Sequence, residues 1–130
     1  MLPPQRAATD GGAGGSGLSV VDYRSGYLIT PPGTGTLTAE FEPVPSGCLW
    51  LLQRITVMCT STTATQAIVY AGYPNPQNYV DATDRGNLDV ADEAQPILIE
   101  SNVPLVVQWT GASAGSQGTV RVQYQLVTRA

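Results

Sequence analysis

The stretch Thr119-Val120-Arg121-Val122-Gln123-Tyr124-Gln125-Leu126 decides the fold class. Val120, Val122, Tyr124 and Leu126 fall on one side of an extended chain, and Thr119, Arg121, Gln123 and Gln125 on the other. Successive side chains of a strand point to opposite faces, so this alternation belongs to a sheet with one dry and one wet side. A helix needs an apolar period of about 3.6 residues, and no segment of the chain sustains one over ten residues.

The same pattern extends outward from that strand. Leu105, Val107 and Trp109 oppose Val106 and Gln108, and Gly35–Phe41 alternates small polar with apolar residues. Short apolar runs separated by Gly, Pro, Asn and Ser recur at spacings of roughly 8–12 residues, the mark of a sandwich or barrel. The pattern predicts strands over Leu18–Val21, Tyr27–Ile29, Gly35–Phe41, Leu49–Cys59, Thr65–Ala71, Asn78–Ala82, Ile97–Glu100, Leu105–Trp109 and Thr119–Val127. The expected fold is therefore all-β, an antiparallel β-sandwich of jelly-roll type with about eight short strands.

Leu49–Cys59 departs from the simple alternation. Ile55, Val57 and Cys59 share a parity with Gln53, whereas Trp50 and Leu52 share the other with Arg54 and Thr56. Either a β-bulge near Gln53-Arg54 switches the facing, or the strand is covered on both sides. With Trp50 turned inward, Leu49 and Leu51 face outward and become candidates for contact with another subunit. Cys48 and Cys59 end this strand. Eleven residues of extended chain put them about 36 Å apart, too far for a disulfide, so two free thiols are expected.

Residues 1–17 form a separate segment. Asp10-Gly11-Gly12-Ala13-Gly14-Gly15-Ser16-Gly17 offers almost no side chain with which to build a core. Such a segment is either a loose tail or an arm laid along a partner. As an arm it reaches about 55 Å, with Leu2, Pro3, Pro4 and Arg6 as its contact residues. The expected organisation is an arm over 1–17 and one domain over 18–130. Met1-Leu2-Pro3-Pro4-Gln5-Arg6 lacks the apolar stretch of a secretory signal, so export by its own sequence is not expected.

Composition removes several classes of function. Of 130 residues only 12% are charged, against roughly 25% in an average globular protein. All six basic residues are arginines, lysine and histidine are absent, and the net charge is −4. An acidic chain with scattered arginines lacks the basic stripe that displaces counterions from nucleic acid. Catalysis by histidine or by a lysine Schiff base is excluded. The longest strongly apolar run, Cys48–Leu52, is far short of the roughly 20 residues that cross a membrane.

The remaining candidates for chemistry are thin. Asp81, Asp84, Asp89, Asp92 and Glu93 lie within thirteen positions. Clustered carboxylates hold calcium in some loops, but position 3 of an EF-hand register here is Thr83 and position 12 is Asp92. The plainer reading is a polar loop whose Asp and Asn side chains close turns. Nothing fixes a pair of these carboxylates across a sugar cleft. No residue set marks an activated nucleophile or base, so no enzyme, cofactor or metal is expected. Trp109–Gly118 reads as a strand end followed by a hairpin loop of small residues. Trp50, Trp109 and Tyr124 have inward parity and belong in the core. Tyr73 and Tyr79, beside a Pro-rich loop, are the candidates for stacking on a glycan.

Several stretches together resemble the small β-sandwich virion proteins of tailed bacteriophages, particularly those of phages infecting Actinobacteria. They are Pro45-Ser46-Gly47 leading to Trp50, Arg54-Ile55-Thr56-Val57, Ser61–Thr65, Gly86–Glu93, Val107–Ala112 and Val120–Tyr124. The resemblance covers roughly Val44–Val127 and consists of scaffold features. It implies an architectural role as a capsid decoration or cement protein, or a small tail component. It also implies self-association, commonly as a trimer, with the major capsid protein or tail proteins as neighbours and the capsid surface favoured over the tail. A carbohydrate-binding module for host attachment is the other expectation.

Overall fold

The computed structural model describes residues 18–83 and 85–129. The segment 1–17, with Leu2, Pro3, Pro4 and Arg6, lies outside the described residues. Eight strands follow in order: β1 (Leu18–Ile29), β2 (Gly33–Glu40), β3 (Cys48–Cys59), β4 (Gln66–Ala71), β5 (Tyr79–Thr83), β6 (Leu88–Ile99), β7 (Leu105–Ser116) and β8 (Gly118–Arg129). They form two antiparallel four-stranded sheets, β1-β8-β3-β6 and β2-β7-β4-β5. β1 pairs with β8, β2 with β7, β3 with β6 and β4 with β5. The chain is thus one long hairpin closed at β4–β5. Rolling it up brings β8 against β3 and β7 against β4, which is the jelly roll.

The core fills the space between the sheets. Trp109, Leu52, Ile55, Val57, Ile99, Leu105, Val107, Val120 and Val122 are fully buried there. Trp50 stacks on Tyr124 at 4.0 Å between ring centroids, and Phe41 meets Trp50 edge-on. In β3 the register slips between Leu52 and Arg54 against both neighbouring strands. The irregular pairing in β3 is therefore a bulge at Gln53, which lets Trp50 and Leu52 before it and Ile55 and Val57 after it face the same core. Cys48 and Cys59 are free thiols at opposite ends of the strand.

The strands are longer than the sequence pattern suggests; β1, β3, β6, β7 and β8 each have 12 residues. Leu18–Val21 and Tyr27–Ile29 belong to a single β1. The expected loop after Trp109 is instead the second half of β7, where Gly111 and Gly115 adopt positive φ. The acidic stretch is mostly strand as well. Asp81 lies in β5 and Asp89 in β6, and each accepts a hydrogen bond from the next backbone N–H.

Two polar locks hold the ends of the roll. The buried Thr30 donates its N–H to the Gly118 carbonyl and accepts the Gly118 N–H on its hydroxyl, joining the β1–β2 and β7–β8 connections. Around Trp109, three separate loops converge. Its indole N–H donates to the Gly86 carbonyl at 2.9 Å. The Asn87 amide donates to the carbonyls of Ser61 and Thr63, and its oxygen accepts from Thr65. A Cβ on Gly118 would lie 2.7 Å from the Trp109 ring. Because that ring is fixed, Gly118→Ala should cost at least the roughly 1–3 kcal/mol of an overpacked core. A lowered midpoint in urea unfolding checks this; an unchanged midpoint would mean that the ring can yield.

Candidate functional site

The outward side of the β1-β8-β3-β6 sheet is unusually apolar. Residues paired directly across an antiparallel ladder share a face. One row therefore runs Ile29, Thr119, Met58, Leu88, and the next runs Tyr27, Arg121, Thr56, Val90. A third contains Tyr23, Gln125, Leu51 and Leu98. Ile29 is 56% exposed, Met58 50% and Leu88 64%. Of the ten large hydrophobic residues exposed among the described residues, eight lie on this side: Val20, Tyr23, Tyr27, Ile29, Met58, Leu88, Val90 and Leu98.

Burying such a surface is favourable by roughly 25 cal/mol per Å², and contiguous exposed apolar patches mark contact sites. The polar members fit the same role. The Arg121 guanidinium sits 5.3 Å from the Tyr27 ring centroid, a cation–π pair. Thr56 and Gln125 fill gaps with uncharged groups, and a polar row of Ser25, Gln123 and the exposed Arg54 crosses the face between the Tyr27 and Tyr23 rows. Tyr, Met and Arg with few Lys, Asp or Glu is the composition of protein interfaces. The outward side of the opposite sheet mixes Thr38, Glu40, Gln66, Gln108 and Thr110 with the part-buried Ile68 and Tyr70 and the buried Val106, and Gln108 donates to the Thr38 hydroxyl.

The residues singled out from sequence fall in three places. Leu51 is half-buried and belongs to the Tyr23 row. Leu49, expected to face a partner, is only 2% exposed. With Trp50 buried on the other side of the strand, this end of β3 is covered on both faces, and Leu49 has no surface left to offer. Tyr73 and Tyr79 are 70% and 55% exposed. They flank the β4–β5 connection on the other sheet, where Asn78 donates to the Tyr73 carbonyl.

Among the described residues, the clustered hydroxyl groups bond to one another and to the backbone. Ser61, Ser113 and Ser116 hydrogen-bond to one another, and with Thr63 they cap backbone groups of the β3–β4 loop and β7. Among the described residues, no three His, Cys, Asp or Glu side chains come together as metal ligands. Asp84 and the side chains of Asp92 and Glu93 lie outside the described residues.

The apolar face had a signal in the sequence. Tyr23, Ser25, Tyr27 and Ile29 alternate with Arg24, Gly26 and Leu28, and Leu88 and Val90 bracket Asp89. Both are strand patterns, and a pattern gives parity without saying which parity faces the core.

No family model matches the chain, and no curated protein matches it. Its fold does match solved structures. A chain in the acid-stable capsid structure of the Helicobacter pylori bacteriophage KHP30 superposes with a TM-score of 0.54 at 18% identity, covering 83% of this chain and 90% of that one. A chain from Bacillus endospore appendages, described as disulfide-linked pili, gives 0.50 at 11% identity, covering 90% and 93%. These likenesses establish the fold: an antiparallel β-sandwich shared with chains of those assemblies.

Proposed function

We propose that this chain is a structural protein of a bacteriophage virion that works by protein–protein contact, as a decoration or cement subunit on the capsid. The observation that carries the proposal is the apolar, aromatic and Arg-bearing outer side of the β1-β8-β3-β6 sheet, read as a contact surface. The fold shared with a chain in a phage capsid structure supports it. So does a surface rich in Thr, Ser, Gln and Gly, which costs less to desolvate than one rich in ions. Its neighbours in this reading are the major capsid protein and further copies of itself. Small contacts of this kind gain strength by repetition over a symmetric lattice. A place on the tail uses the same surface against a different neighbour.

Residues 1–17 serve in this reading as an arm along the adjoining chain. Removing them should abolish attachment to particles while leaving the domain from Leu18 onward folded. The check is co-sedimentation of the purified truncated protein with particles that lack the native subunit. Full decoration by the truncated protein would remove the arm from the account. The exposure of Tyr73 and Tyr79 supports a second reading as a glycan-binding module. That reading expects binding to host cell-wall polysaccharide that Tyr73→Ala and Tyr79→Ala abolish.

A further inference from the structure

Each sheet of the roll has two edges, and an unpaired edge is a template for another strand unless something blocks it. β5 is only five residues long. β2 follows Pro31-Pro32 and slips register twice against β7. β6 carries Pro96, and its pairing with β3 jumps from Ile97 to Asp92, so residues 93–96 leave the ladder. β1 has none of these protections beyond one slip between Val20 and Asp22. From Asp22 to Ile29 it runs eight residues in unbroken register with β8, without proline, and among the described residues no strand lies on its other side.

The free edge is also electrically neutral. Its two charges, Asp22 and Arg24, pair with each other at 3.3 Å and are both about half exposed. A chain of net charge −4 can therefore bring two copies together here without like-charge cost. The Tyr23 N–H is taken by the Asp22 carboxylate at 2.9 Å, so it points away from β8. Alternation along the strand then turns the main-chain N–H and C=O of Ser25 and Tyr27 to the same open side.

We propose that β1 is a self-pairing edge. Two copies of this chain join β1 to β1 antiparallel about a two-fold axis at Ser25, making one eight-stranded sheet. Parity and charge permit this register, and cross-linking at residue 25 distinguishes it from an axis at Gly26. Outward residues must oppose outward residues if the face is to continue across the joint. An axis at Arg24 sets two guanidinium groups against each other, and an axis at Tyr23 runs the pairing into the slip at Val21. With the axis at Ser25, Tyr23 opposes Tyr27 of the second copy and Tyr27 opposes its Tyr23, while Arg24 lies beside Gly26, which has no side chain to obstruct it. The edge-facing amides of Tyr23, Ser25 and Tyr27 then all find carbonyls, and the Tyr23 N–H exchanges its carboxylate partner for one of them. The apolar outer side becomes continuous over both copies. The inference concerns one edge of the fold and does not rest on the virion reading.

Sedimentation of the full chain tests it. The expected species is twice 13.6 kDa. Ser25→Pro removes an edge-facing N–H without touching the β8 ladder, and it should return the protein to 13.6 kDa with its circular dichroism unchanged. Independently, Ser25→Cys should form a disulfide across the axis under mild oxidation. Opposed Cα atoms in such a pair lie about 5.5 Å apart, inside the disulfide range, whereas Arg24→Cys should not cross-link. A wild-type monomer or trimer would overturn the proposal. So would a dimer that survives Ser25→Pro, or one in which Ser25→Cys fails to cross-link.

Discussion

Trp109→Ala is expected to lower the unfolding free energy by about 3–5 kcal/mol, the range for removing a large buried aromatic side chain. Trp109 is fully buried at the centre of β7, opposite Leu37 on one side and Ala67 on the other. It is the point where Gly86, the Asn87 clamp and Gly118 meet. Truncation leaves a cavity and strips the Gly86 carbonyl of its buried donor. Domains of this size are stable by only about 5–15 kcal/mol, so the variant keeps a small margin. Trp109→Phe separates the two effects. It retains most of the apolar contact and loses the N–H, for an expected cost of about 1–3 kcal/mol. Urea midpoints measured by circular dichroism check both, and a loss under about 1 kcal/mol for Trp109→Ala would contradict the assigned packing.

The largest functional effect is expected on the exposed face. Met58 and Leu88 oppose each other in the β3–β6 ladder, away from the β1 edge. The pair Met58→Asp and Leu88→Asp should leave stability within about 0.5 kcal/mol per site, since both positions are open to solvent. Against a partner surface the same two carboxylates would be buried without counter-charge, a cost of several kcal/mol. Attachment to particles should therefore weaken at least about 100-fold. Glu40→Ala, on the outward side of the opposite sheet, should change nothing. Binding isotherms with purified particles separate the outcomes. Equal loss from both faces, or from neither, would contradict a single contact face.

The fold was legible where one face of a strand was wet. Val120–Leu126 alternates because one side meets solvent. The slip in β3 is one of two readings the residues leave open, because Trp50 and Ile55 cannot both face inward in a straight strand covered on one side. Legibility failed where the outward side was apolar or the inward side polar. Leu88-Asp89-Val90 looked like part of an acidic loop because Asp89 holds an inward parity opposite Val57 while Leu88 and Val90 stand exposed. Residues 22–26 looked like a gap between two short strands, yet they continue β1, where a Cβ at Gly26 would just touch Phe41 and Val122. In β7, the stretch after Trp109 read as a hairpin loop because its residues are small; Gly111 and Gly115 do take positive φ, and the strand absorbs both. The apolar outer side was legible only in part for the same reason. Leu49 and Leu51 are the apolar pair that stands out in the sequence; Leu51 does belong to that side while Leu49 is buried, and most of the exposed apolar residues come from β1 and β6, which are distant in the chain and share one face only after the hairpin has rolled up.

A cryo-electron microscopy map of the phage particle, with this chain fitted as a jelly roll, tests the central claim most directly. The account expects the chain on the particle, with Met58, Leu88 and Val90 against a neighbouring protein and the β2-β7-β4-β5 face open. A particle whose density contains no such jelly roll would contradict it. So would a bound chain whose β1-β8-β3-β6 face points into solvent.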